Sequence, residues 1–177
     1  MSTPNIDAQI EKARKVLIEM GLRIGYLSCV KVGLAIVNKS VPKAPIDTGH
    51  LRNSSIVLST RGALYPKGHK IQTHKKRKVI KEFLEKEENI GTAFLVSFLK
   101  KQKTPTALVS FVALYAPFVH EGNPSFNWND GGPKFLERGV NEIVPLIPTI
   151  VRMTKEETVQ SFRSSENFEI QDRESEE

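Results

Sequence analysis

Val41-Pro42-Lys43-Ala44-Pro45-Ile46-Asp47-Thr48-Gly49-His50-Leu51-Arg52-Asn53-Ser54 separates two kinds of hydrophobic periodicity. Upstream, Ile10, Ala13, Leu17, Met20, Ile24, Leu27, Leu34, Val37 and Val41 recur three or four residues apart, with Lys31 the one gap. That spacing predicts a long helix. Thr3 suits its cap with Pro4 at the first helical position, and Asp7 is a second candidate cap. Gly21, Gly25 and Gly33 lie inside the pattern, and each costs about 1 kcal/mol relative to Ala. They mark either the close approach of another element or a bend. Pro42 and Pro45 disfavour helical geometry in the residue before them, so the helix stops near Ser40. Downstream, Ser55-Ile56-Val57-Leu58-Ser59 is a short β-prone run.

Further along, residues 60–88 carry no clear period and read as an exposed basic loop, with one or two helical turns expected between Val79 and Glu88. Thr92 to Leu99 places Phe94, Val96 and Phe98 on one face and reads as a strand. Ala107 to Tyr115 reads as a second strand, with Val109, Phe111, Ala113 and Tyr115 on one face and Leu108, Val112 and Leu114 on the other. Lys100 to Pro105 would then connect them as a hairpin. Gly131-Gly132-Pro133 ends a polar loop. From Lys134 a helical pattern resumes through Phe135, Leu136, Val140, Ile143, Val144, Ile147 and Ile150, and Pro145 and Pro148 should kink or split it. Thr154 with Glu157 resembles a capping box for a last short helix reaching Phe162. The expected architecture is α+β: a long N-terminal helix and a C-terminal helix packed on an antiparallel sheet of about three or four strands. Residues 1–163 form one domain, and the acidic residues 164–177 are expected to be disordered.

Composition narrows the function. At 177 residues with 39% hydrophobic content there is material for one core. No uninterrupted apolar run approaches the roughly 20 residues that span a bilayer, and the N-terminus does not look like a secretory signal. The single Cys29 excludes an intrachain disulfide and a cysteine-based zinc site, and fits a reducing cytoplasm. The net charge of +6 is unevenly spread. Lys67, Lys70, Lys75, Lys76, Arg77, Lys78 and Lys81 crowd one stretch, and Glu166, Glu169, Asp172, Glu174, Glu176 and Glu177 load the end. Such asymmetry points to an anionic partner for the basic segment or to a solvated loop.

Asp47-Thr48-Gly49 is the one enzymatic lure, because aspartic proteases use such a triplet from each of two halves to activate water. One copy per chain would demand a symmetric dimer. Here Pro42-Lys43-Ala44-Pro45 precedes the triplet instead of an apolar strand, and His50 follows it. The alternative role is an Asx-type turn or a cap on a helical turn starting near Thr48. His50, His69, His74 and His120 lack metal-ligand spacing, and no nucleotide-binding or nucleophile motif is present. The basic segment could attract phosphate without reading sequence, but it lacks interleaved aromatics for base stacking.

The segments together resemble the tail-completion (head–tail joining) protein family of long-tailed bacteriophages. The run from Val41 to Ser54 is similar to that family's Ala-Pro-x-Asp-Thr-Gly-x-Leu-Arg-x-Ser between a long helix and the first strand. Tyr115-Ala116-Pro117-Phe118-Val119-His120-Glu121-Gly122 is similar to its Tyr-Ala-x-x-Val-(His or Glu)-x-Gly, and Gly132-Pro133-Lys134-Phe135-Leu136-Glu137-Arg138 to the opening of its C-terminal helix. The three occur in order over roughly residues 8–150. The loop from Thr60 to Glu88, Gly139 with the two prolines, and the acidic tail depart from the pattern.

The resemblance implies a non-enzymatic virion part without cofactor or metal, made in the host cytoplasm. It implies a ring, commonly of six copies, in the neck between the head connector or head-completion protein and the tail-tube or tail-terminator protein, with no membrane partner. It makes Pro45, Asp47, Thr48, Gly49, Leu51, Arg52, Tyr115, Ala116, Val119, Gly122, Phe135 and Leu136 fold determinants. Within that frame Asp47 or Thr48 is expected to accept backbone N–H bonds, Tyr115 and Val119 to be largely buried, and Gly122 to adopt positive φ. Lys75, Lys76, Arg77 and Lys78 become candidates for non-specific contact with DNA in the ring's lumen or with a partner protein. The rival readings are a basic nucleic-acid-binding protein and a dimeric aspartic protease using Asp47.

Overall fold

The structure is a computed structural model that describes residues 6–46, 50–60, 62–64, 95–122, 128 and 131–174. Asp47, Thr48, Gly49, Lys75, Lys76, Arg77, Lys78 and the Val79–Glu88 turns lie outside the described residues.

Helix α1 spans Ile6–Ser40 and ends in a 3-10 turn, Val41–Lys43, with Pro42 at its start. The stop falls where the prolines require it. A helical turn α2, His50–Asn53, leads directly into strand β1, Ser55–Ser59, and then β2, Gly62–Leu64. Residues 95–100 form a helical segment, α3. Strand β3 is Ala107–Phe111, followed by α4, Ala116–Glu121. Helix α5, Phe135–Ile143, passes through a 3-10 turn, Val144–Leu146, into α6, Ile147–Glu174. The prolines split this C-terminal helix as expected.

Among the described residues the sheet has the order β2-β1-β3, antiparallel throughout. Ser55 pairs with Phe111, Val57 with Val109 and Ser59 with Ala107. Every residue of the central strand β1 is buried, so its two faces feed two clusters. On one face Val57, Phe111 and Ala113 join Val37, Val41, Ala44, Leu51, Ala116 and Phe135. On the other Ile56, Leu58 and Val112 join Leu99, with Leu95 and Leu108 packed against them. The fold is α+β, with α1 and α5 over one face of the sheet and α3 over the other. Gly33 is where α1 comes closest to the sheet. A Cβ there would lie 2.9 Å from Val57 Cγ1, so this glycine marks close approach rather than a bend.

Several expectations are corrected. Residues 95–100 are helical, not the second half of a strand from Thr92 to Leu99. Leu95 and Leu99, one helical turn apart, both reach the second cluster. The hairpin through Lys100 to Pro105 is therefore absent, and β3 pairs with β1. The strand from Ala107 stops at Phe111, and the chain turns so that the Ala116 amide donates to Ala113 O at 2.8 Å. Thr154 is no cap. It lies inside α6, buried, and its hydroxyl donates to Ile150 O at 2.7 Å. Helix α6 continues to Glu174, across most of the tail expected to be disordered.

By length and composition α1 contains a window apolar enough to cross a membrane, although no uninterrupted apolar run predicted one. In this fold its C-terminal half is a core helix. Val30, Gly33, Val37 and Ser40 are buried, and Lys31 pairs with Glu157 of α6.

Candidate functional site

The motif residues sit at one corner of the molecule, where the ends of α1, β3 and α4 meet the start of α5. The first motif is held by Arg52. Its Nε donates to Ala44 O at 2.7 Å and its Nη2 to Pro42 O at 3.0 Å, folding the chain back from the 3-10 turn onto α2. Leu51 is buried beneath, and Ser54 Oγ donates to Leu51 O at 2.7 Å to end the helical turn. Pro45 is half-buried beside Ala44 in the same return.

The second motif forms α4. Pro117 occupies its first turn, where a missing N–H costs nothing. Ala116 is buried and Val119 half-buried against the core. Gly122 ends the helix at φ 81 and ψ 157, as expected, and a Cβ there would lie 2.8 Å from Pro133 Cβ. Tyr115 is not buried. It is 39% exposed, and its ring meets His50 edge-on at 5.6 Å between centroids.

The third motif locks onto the other two. Phe135 is 1% exposed and receives the edges of Phe111 and His120 at 4.8 and 4.9 Å between centroids. Leu136 packs against the same cluster. The Gly132 amide donates to Lys43 O at 3.0 Å, and the Lys134 amide to His120 O at 2.6 Å. Two residues that the sequence reading passed over make this docking feasible. Gly131, at φ 79, brings its Cα so close that a Cβ would lie 2.7 Å from Ala44 O. Lys134 adopts φ 55, left-handed geometry that is costly without glycine. Gly131-Gly132-Pro133 signalled a breaker in the sequence, and nothing there signalled what the break would rest against.

The charged groups of this corner lie at its rim. Glu121 accepts from Lys134 Nζ and lies 3.3 Å from His120 Nδ1. Those hydrogen bonds, Lys134 first, hold its carboxyl below the ordinary value, and Lys134 is pushed up in turn. Glu142 on α5 pairs with Lys43 at 2.7 Å and Lys39 at 3.8 Å. The hydrogen bond from Lys43 is the main cause of its lowered pKa.

Among the described residues no three His, Cys, Asp or Glu side chains cluster as metal ligands. The segment ahead of Asp47 is a 3-10 turn and the segment after Gly49 a helical turn, so the triplet does not follow a strand. An open groove of about 520 Å³ runs along α6, lined by Lys155, Glu156, Val159, Gln160 and Arg163, well away from the motif corner in the chain. The described motif residues therefore hold helices and strands together and line no cleft. Comparison of the chain with protein-family models, curated proteins and solved structures returned no match.

Proposed function

We propose that this chain is a structural subunit of a bacteriophage virion. It forms a ring of six copies at the head–tail junction and joins the head connector to the tail tube, without catalysis or cofactor. The observation that carries this reading is the meeting of the three motifs. Ala44 and Leu51, Ala116 and Val119, and Phe135 and Leu136 come from segments far apart in sequence and pack in one cluster. Residues that resemble a family's pattern and also build the core are the ones expected of fold determinants, and the reading needs no more from them.

In this reading the segment with Lys75, Lys76, Arg77 and Lys78 meets the passing DNA or an acidic neighbour. Phosphate contacts of that kind are salt-sensitive and independent of sequence. Replacing those four residues with Ser lowers joining or DNA retention and leaves the fold intact. The test of the whole reading is a phage lacking this chain. It should accumulate DNA-filled heads and finished tails that stay separate. Joined, infectious particles from that mutant would refute the proposal.

A further inference from the structure

Residues 6–19 of α1 are exposed at every position, and the helix there projects beyond the packed half. Yet this arm is apolar: Ile6 is 70% exposed, Ile10 61% and Leu17 62%. Their spacing is stricter than a surface helix needs. Ile6, Ile10, Ala13, Leu17, Met20 and Ile24 alternate steps of four and three residues. That is the 3.5-residue repeat by which one helix packs along another. The occupant of this seam is therefore a helix with an apolar side of its own. Helix α6 does not offer one, since it turns Thr154 and Thr158 toward the molecule's interior.

The arm itself carries such a side. Ile18 and Leu22 are 54% and 50% exposed. At 3.6 residues per turn they lie roughly 130° around the helix from the seam. A helix with two separate apolar sides has a place for two neighbours. We propose that the seam of one arm packs on the Ile18–Leu22 side of the same arm in a second copy of this chain. The contact joins two different surfaces, so it repeats from copy to copy and closes a ring when the rotation allows. All arms in such a ring run in the same direction and leave its axis open.

The area is adequate. Together with Val16 these side chains expose on the order of 600 Å² of apolar surface. Apolar atoms make up somewhat over half of an interface, which corresponds to a total of about 1,000 Å², the lower bound for a specific contact. The inference deepens the ring proposed above but does not depend on a virion.

The test uses the full-length chain and two single variants, Leu17→Lys in the seam and Leu22→Lys on the opposite side. Both positions are exposed, so circular dichroism should show unchanged helicity and melting of the packed domain. Sedimentation should find the parent chain as a closed oligomer and each variant alone as a monomer. An equimolar mixture of the two variants should form a dimer, because one intact seam meets one intact side. A monomeric parent chain, an oligomer that survives either substitution, or a mixture that stays monomeric overturns the proposal. A monomeric parent that still localises to the virion neck would sink this contact while leaving the proposed function standing.

Discussion

A methyl group placed on Gly139 would lie 1.9 Å from the Ser40 hydroxyl oxygen and 2.9 Å from the Ser40 amide nitrogen. This contact sets how closely α5 crosses the end of α1. Ser40 is fully buried there and donates to Ile36 O at 2.8 Å. Ala would gain about 1 kcal/mol in helix propensity over Gly, whereas overpacking of this kind costs about 1–3 kcal/mol. Backbone atoms are among those met, so side-chain rotation cannot relieve the overlap. Gly139→Ala should lower the melting temperature and Gly139→Val should lower it further. A more stable Gly139→Ala protein would show that the helices can separate at no cost.

Gly122 carries a second steric prediction. Its φ of 81 with ψ of 157 lies where side chains are strained, at about 1–3 kcal/mol. Pro133 leaves no room for a Cβ. Gly122→Val should lower the melting temperature by more than Gly122→Ala, and both should weaken the docking of α4 on α5. Amide exchange at Lys134, whose N–H is bonded to His120 O, should quicken in both variants. Exchange unchanged from the parent would contradict the coupling.

Arg52 reaches two carbonyls that a lysine cannot reach together. Arg52→Lys should therefore be almost as damaging as Arg52→Ala. Hydrogen bonds from a charged donor contribute about 1.5–3 kcal/mol each when buried, and this side chain is only partly buried, so a loss of about 1–2 kcal/mol is expected in thermal or urea unfolding. Full stability in Arg52→Lys would mean that one carbonyl contact suffices.

Acid should weaken the corner. The carboxyls of Glu121 and Glu142 are held below their ordinary value by Lys134 and Lys43. A depressed pKa contributes stability above the unfolded value, and that contribution is lost as pH falls through the folded one. Lys134, pushed up, retains its contribution at neutral pH and loses it only as pH rises through its raised folded value. Stability should thus fall on acidification below the carboxylate range, with Glu121→Gln showing a shallower slope. Both pairs are at the surface, so the effect should be small and should shrink with added salt. A slope unaltered by Glu121→Gln would remove that pair from the balance.

Where sequence signals were local they carried through to the structure. The stop of α1 at Ser40, β1 at Ser55–Ser59 and the split near Pro145 each follow from prolines or β-branched runs. The segment around residues 95–100 failed because it satisfies two periods at once. Val96 and Phe98 alternate like a strand, but Leu95 and Leu99 sit one helical turn apart and find Ile56 and Leu58 across the core. Thr154 and Glu157 have capping-box spacing, yet Glu157 pairs with Lys31 and Thr154 bonds back to Ile150, choices set by α1 alongside. The motif corner was legible as a set of residues and not as a place. Tyr115 looked buried because the strand was read too long, and the roles of Gly131 and Gly139 depend on what docks against them.

Gold-labelled antibody against this chain, applied to purified virions and viewed by electron microscopy, tests most directly whether the protein is a head–tail adaptor. The label should appear at the junction of head and tail and nowhere else on the particle. Label along the tail or over the head, or virions with no label at all, would contradict that role.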